Sequence, residues 1–311
     1  VQRARTGKGQ HIDMAKLKSM IASADVVIEN FKVGSLEKFG LDYETLSKKN
    51  PKLIYCSVTG FGQDGPRAHK AGYDFMIQGM SGIMDITGEP GGMPQKVGVA
   101  FADIFTGLYG VIGIQAALVQ RARTGKGQHI DMALFDCMLA AQANQNQNYL
   151  ISGESPQRMG NAHPSIVPYQ VFPVSDGHIV IACGNNRQFH NLATALGRKE
   201  WIKNSIFYDN ITRIANRIEV VSEITAELSN WKKLKILSVL EAAGVPSGPI
   251  NTIAEALEDP QTLHRKMRIS PEGIPGVRTP IKFSDSELQL FRAAPGLGEH
   301  NDYCCLLYTS P

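Results

Sequence analysis

Apolar and polar positions alternate between two periods along the first half of the chain. The runs DVVIE (25–29) and LIYCSVT (53–59) are short, rich in β-branched residues and bounded by turn signals, which predicts buried strands. A further apolar stretch, 96–102, predicts extended chain. Helical spacing predicts helices over 16–24, 43–49, 73–87, 103–123 and 133–152, the third loosened by Gly79, Gly82 and Gly88. Strands alternating with helices in this way point to an α/β fold with a largely parallel sheet.

The pattern changes over 153–163, which is polar and carries Gly, Ser and Pro, as a linker does. Beyond it, 169–172 and 178–182 meet through Ser175-Asp176-Gly177, where Asp-Gly signals a hairpin. Helices are predicted over 187–196, 213–228 and 231–243, with Gly244 ending the last. Turn residues dominate 246–249 and 271–280. The expected division is a large domain over 1–152, the linker, a smaller α+β domain over 164–278 and a return of 279–311 to the large domain.

Both ends break the pattern. Residues 1–15 repeat 119–133 letter for letter, and the flanks then diverge at once. Structural repeats recur at short periods and drift in sequence, so one perfect copy with abrupt edges reads as a splice or assembly error, against the alternative of a genuine duplicated element. The internal copy makes structural sense. It ends an apolar helix, caps it with Gly125 and Gly127, and opens a short strand at 128–132. The segment 303–311 continues no pattern and makes the tail equally aberrant.

Composition removes several classes. The 311 residues are 43% hydrophobic and 20% charged with a net charge of +3, which excludes a disordered chain and a dense basic stripe for nucleic acid. The 5 Cys are odd in number and spell no CxxC, which argues against a disulfide framework or zinc knuckle and for a reducing, cytoplasmic setting. The His residues spell no HExxH, so no metal site is expected. The apolar stretch 107–119 falls short of a membrane span, and no signal peptide opens the chain. Neither nucleic acid nor membrane is expected as a partner.

Four places carry candidate chemistry. Gly60, Gly62 and Gly65 spell GxGxxG after a predicted strand, but Pro66 follows and 66–72 sustains no helical period. Dinucleotide binding is rejected on that ground, and a glycine loop near some ligand stays open. Asp103 follows an apolar run and opens a long helix. A helix start favours an ionised carboxylate, which can attack an activated acyl group; a plain capping Asp fits the local sequence as well and is the commoner case. Asn30, Phe31 and Lys38 follow the strand 25–29, at the strand end where open α/β sheets bind ligands. They would suit an adenine nucleotide with phosphates, against the plainer alternative of a solvated loop. The segment 184–188 either lines a ligand or caps the next helix.

At these residues the chain resembles the family III CoA-transferases, the CaiB–BaiF group. The resemblance runs from about Leu17 to His300 and rests on separated motifs in order: 28–46, 50–66, 71–88, 98–110, 123–136, GNNRQF (184–189), GVPSGPI (244–250) and LGEH (297–300). It implies a Rossmann-like large domain, a small domain and an interlocked homodimer. It implies CoA transfer between carboxylic acids with CoA or acyl-CoA as substrate, no resident cofactor and no metal. By this resemblance Asp103 is the nucleophile, passing through a mixed anhydride and an aspartyl-CoA thioester. Asn30 and Phe31 match contacts to adenosine and CoA, Lys38 a contact to CoA phosphate, and Gly60 and Phe61 a turn lining CoA. The NNRQF and SIVPYQVF segments look most like members using succinyl-CoA and small dicarboxylates. The α-methylacyl-CoA racemases share the fold and resemble AGHD where this chain has Ala71-Gly72-Tyr73-Asp74. Tyr73 makes a poor base at neutral pH, because phenol titrates near pH ~10, and the transferase is favoured. A damaged fragment without catalysis is the third alternative.

Overall fold

The computed structural model describes residues 14–299 and forms two compact units, Val1–Asn161 and Ala162–Pro311. The first opens with helix α1 (Met14–Ser23), strand β1 (Val26–Glu29), helix α2 (Tyr43–Lys49) and strand β2 (Ile54–Thr59). Helix α3 (Asp74–Ser81) and a short turn of helix, Ile83–Ile86, lead to the long helix α4 (Phe101–Thr124). Strand β3 (His129–Ala133) and helices α5 (Leu134–Ala141) and α6 (Asn144–Ser152) complete it.

The three strands form a parallel sheet in the order β1-β2-β3. β2 is central, and this explains its unbroken apolar sequence: helices cover both of its faces. Leu53 and Tyr55 pack with Leu46 of α2 and Ile21 of α1. Val58, of opposite parity, joins Ile77, Ala102, Leu134 and Met138 on the other side. β1 is an edge strand, so Ile28 is exposed where the sequence predicted burial.

The repeated motif owes its internal copy to backbone geometry. Gly125 ends α4 in the left-handed region, with φ of 73°. Gly127 donates to the Pro51 carbonyl at 2.8 Å, and a Cβ there would overlap the Leu53 carbonyl. Context decides the rest: Met132 and Ala133 are strand, whereas the identical pair Met14 and Ala15 begins a helix. The rest of the first copy, 1–13, lies outside the described residues, as does the tail 300–311.

Several predicted elements shift. The segment 96–102 is not a strand, because the buried Gln78 side chain takes the groups a ladder would use: it accepts from Val97 N–H at 2.9 Å and donates to Val99 C=O at 3.3 Å. The helix expected over 73–87 breaks at Gly82, where φ is 93°. The helix expected over 133–152 starts only after β3 and breaks at Ala143, with φ of 44°. Beside that break, the Gln142 amide reaches across to Ser81 C=O at 2.7 Å. Helix α4 spans 24 residues and, by length and composition alone, is long and apolar enough to cross a membrane. This overturns the length argument made from 107–119. In the fold α4 packs against β2, β3, α3 and α5.

The second unit has one continuous core. Strands β4 (Tyr169–Val174) and β5 (Gly177–Ala182) form the expected hairpin, and β6 (Ser247–Pro249) adds to β5 antiparallel where only turn was expected. Three residues are too few to show a strand period. Phe172, Ile179 and Ile181 pack there with Phe189, Leu192, Val220 and Ile236. These come from helices α7 (Asn186–Ala195), α8 (Arg217–Leu228) and α9 (Lys233–Ala242). The described part of the segment 279–311 groups by its contacts with this second unit.

Candidate active site

Two sequence motifs meet at the C-terminal end of β2. The Gly60 carbonyl accepts from Phe135 N–H at 3.1 Å, and the Asp131 carboxylate accepts from Gln63 N–H at 2.8 Å. Thus the glycine loop after β2 is fastened to β3 and the start of α5. No helix opens after Gly65, in agreement with rejecting the dinucleotide reading. Gly60 also lies against Gly72: a Cβ on Gly60 would sit 2.5 Å from the Gly72 Cα. Only glycine fits both positions, and their contact brings the 68–73 turn over the strand end.

That contact forms a hollow of about 270 Å³, lined by Asn30, Phe31, Gly60, Gly72 and Tyr73. Lys32 and Lys70 add positive charge to its rim, and His69 lies beside them. The Asn30 amide donates to Val58 C=O at 2.9 Å, which ties the β1 end to the β2 end. Phe31 N–H donates to the Glu29 carboxylate at 2.7 Å and leaves the Phe31 ring exposed. Sequence reasoning missed Lys32, His69 and Lys70; nothing in their local pattern separates them from surface cations. Lys38 and Phe61 do not line the hollow. The Lys38 ammonium sits over the Phe39 ring at 4.9 Å, and Phe61 packs against Phe135 with ring centroids 5.9 Å apart.

Asp103 stands on the first turn of α4, where it feels the charge of Asp74, the residue after Tyr73 of the hollow. It is not the helix cap. The N-cap is Ala100, and it is Asp74 whose carboxylate accepts from Ala102 N–H at 2.8 Å. The other Asp74 oxygen accepts from the Gln78 amide at 2.8 Å. Gln78, fully buried, therefore links Asp74 to the 97–99 segment and fixes the start of α4. Asp103 makes none of these bonds, and its carboxylate is exposed. Its pKa is raised above the ordinary carboxylate value, first by desolvation and then by the charge on Asp74. The helix end on its own would favour the ionised form. A carboxylate left without donors, and made more basic, is a better nucleophile than a capping one.

The segment Gly184–Gln188 caps its helix. The Asn185 side chain accepts from Gln188 N–H at 3.0 Å, and Gly184 N–H donates to the Gln188 side chain at 2.8 Å. Among the described residues, no group of three or more His, Cys, Asp or Glu could hold a metal ion.

The chain is 53% identical over 291 residues to a succinate–glutarate CoA-transferase of Agrobacterium fabrum, covering 92% of this chain and 73% of that protein. It is 39% identical to a succinyl-CoA:glutarate CoA-transferase of Mus musculus, covering 91% of this chain and 66% of that protein. Among solved structures, a CaiB/BaiF family protein from Brucella suis superposes with a TM-score of 0.84 at 58% identity, over 94% of this chain and 78% of that one. The model of CoA-transferase family III matches residues 15–301, and the chain belongs to that family of CoA-transferases.

Proposed function

We propose that this protein moves CoA from succinyl-CoA to a small dicarboxylic acid of the glutarate type, through covalent intermediates on Asp103. The carrying observation is the Asp103 carboxylate, exposed, raised in pKa and free of the capping bond that Asp74 takes in its place. The names of the relatives from Agrobacterium fabrum and Mus musculus support the choice of acids.

In the first step an Asp103 oxygen attacks the thioester carbon of succinyl-CoA. The C–S bond breaks, leaving a succinyl–aspartyl anhydride and CoA thiolate. The thiolate then attacks the Asp103 carbonyl, the anhydride C–O bond breaks, and succinate leaves an aspartyl-CoA thioester. The acceptor carboxylate attacks that thioester and releases thiolate, which takes the acyl group and frees Asp103. No net proton or electron is consumed, and each displacement is easier than a direct exchange. CoA enters and leaves as a substrate, and the sequence needs no resident cofactor or metal.

The hollow beside Tyr73 fits the nucleotide end of CoA. Phe31 offers a face for stacking, Asn30 and Gly60 line the wall, Lys32 and Lys70 offer positive charge to phosphates, and His69 offers a ring N–H. Lys38 and Phe61 remain in the proposal as contacts just outside it. The proposed assembly is a homodimer, supported by the exposed apolar side chains Ile104, Leu108, Val111, Ile112 and Val119 along α4. Ile112→Glu then lowers the sedimentation mass to that of one chain; an unchanged mass excludes this face from the dimer. A cytoplasmic setting is supported by Cys56, Cys137 and Cys183, which are free and buried.

The test is mass spectrometry of the Asp103 peptide after incubation with succinyl-CoA and hydroxylamine. A hydroxamate on Asp103 is the expected product. An unmodified Asp103 in protein that turns over succinyl-CoA rules out the aspartyl route.

A further inference from the structure

The second unit contains a cavity of about 770 Å³ that the CoA-transfer reading does not use. It is lined by six cationic or titratable basic side chains: His264, Arg265, Lys266, Arg268, Arg278 and Lys282. The whole chain carries a net charge of only +3, so this is a strong local concentration. The one carboxylate in the wall is Glu287. Among the described residues, Arg268 alone of the six is in an ion pair, with Glu258.

The wall is held in shape by Arg278. Its guanidinium donates to the carbonyls of Arg265 at 2.9 Å, Lys266 at 3.2 Å and Ile281 at 3.1 Å. Its charge is thus spent on no carboxylate while it staples the 265–266 turn to the strand-like segment after 278. Within that turn Lys266 adopts φ of 51°, a left-handed conformation that costs a residue with a Cβ. Such strain persists where the surroundings impose it and is often found at binding sites. Phe283 and Leu288 supply an apolar part of the same wall. A space of this size, part apolar and edged with convergent charge, matches a small-molecule site. Guanidinium and ammonium groups without carboxylate partners match phosphate oxygens.

We propose that this cavity binds an organic phosphate, with the phosphate on Arg265, Lys266 and Lys282 and the organic part against Phe283. The proposal stands apart from the Asp103 chemistry and does not depend on it. The phosphate has two sources, a free nucleotide or the nucleotide end of CoA itself.

Calorimetric titration of the full chain at low salt tests this with two probes, inorganic pyrophosphate and adenosine 3′,5′-bisphosphate. Two variants accompany them: R265Q/K282Q in the cavity and N30A/K32Q in the first-unit hollow. The expected result is that, in protein already carrying N30A/K32Q so that the first-unit hollow does not contribute, R265Q/K282Q weakens pyrophosphate binding at least about tenfold, and added salt weakens the binding that Arg265 and Lys282 support. Tighter binding of the bisphosphate than of pyrophosphate, lost in R265Q/K282Q, identifies a nucleotide as the occupant. Unlabelled CoA competing for that same site, in protein carrying N30A/K32Q, identifies the CoA nucleotide as the source; failure to compete identifies a free one. The proposal is overturned if pyrophosphate does not bind, if R265Q/K282Q leaves its binding unchanged in protein carrying N30A/K32Q, or if N30A/K32Q alone abolishes it. Circular dichroism and the hydroxylamine reaction at Asp103 confirm that R265Q/K282Q is folded and active in its first unit.

Discussion

Asp103 in the first unit and Arg213 in the second are charged groups held in opposite ways. Arg213 is fully buried and, among the described residues, has no carboxylate partner within hydrogen-bond reach. Its guanidinium instead donates to Val167 C=O at 2.7 Å, Phe207 C=O at 2.9 Å and the Asn186 side chain at 2.9 Å, and it stacks over Phe189 at 4.4 Å. Each of its three nitrogens donates once, so it joins three parts of the unit. Asp103 is exposed, beside a like charge and, among the described residues, without a side-chain hydrogen bond. The difference teaches how to separate an architectural charge from a reactive one: count the partners first, and look at the burial second.

The largest expected effect removes the proposed nucleophile. Asp103→Asn lowers kcat by at least about 10³-fold, as loss of a covalent nucleophile does. Its stability should move the other way. The pKa of Asp103 is raised in the folded state, so the folded protein holds the proton more tightly than the unfolded chain. Such a group costs stability as pH rises through its unfolded value towards its folded one. Asp103→Asn therefore melts at the same temperature or higher at pH 7, and the gain vanishes below the ordinary carboxylate range. A lower melting temperature at pH 7 would assign Asp103 an architectural role like that of Arg213.

The reverse substitution sharpens the other side. Arg213→Met leaves two buried carbonyls, those of Val167 and Phe207, and the part-buried Asn186 side chain without this donor, and costs about 3 kcal/mol in urea unfolding of the second unit. Lys in its place does not restore the fork, and Arg213→Lys recovers less than half of that loss. The hollow gives a third test. Gly60→Ala drives a Cβ into Gly72, which costs about 1–3 kcal/mol and raises KM for the acyl-CoA more than it lowers kcat.

The smallest effect is a shift of pH dependence. Attack requires the ionised Asp103, so the acid limb of kcat follows its pKa. Asp74→Asn removes the like charge, lowers that pKa and moves the limb to lower pH, while an amide oxygen can still accept from Ala102 N–H. Gln78→Leu frees the 97–99 segment and leaves the Asp74 charge in place, so it lowers kcat without moving the limb. Identical pH profiles for both variants would mean that Asp74 acts only as a cap.

Much of the first unit was legible because its elements obey simple periods. Helix α2 falls on the predicted 43–49, and β2 starts within one residue of its predicted place. The hairpin β4–β5 follows its Asp-Gly signal. The errors share a cause. The 96–102 segment has strand composition, but a side chain from α3 takes its backbone groups. Strand β6 is three residues long and shows no period until β5 pairs with it. Ala143 breaks a helix that its own sequence would continue.

The candidate site divides along the same line. The chain itself determined that Asp103 would stand near the start of a long helix and that Asn30, Phe31 and Gly60 would follow strands, because apolar periods and glycines act over a few residues. Only the tertiary structure decided that Asp74 caps the helix in place of Asp103, since that bond joins residues 28 positions apart. It alone brought Lys32, His69 and Lys70 to one rim, and it alone gathered scattered cations of the second unit around one cavity. Local sequence sets backbone preference and solvation; it carries no record of which distant donor a carboxylate meets, and that meeting decides whether the group holds the fold or reacts.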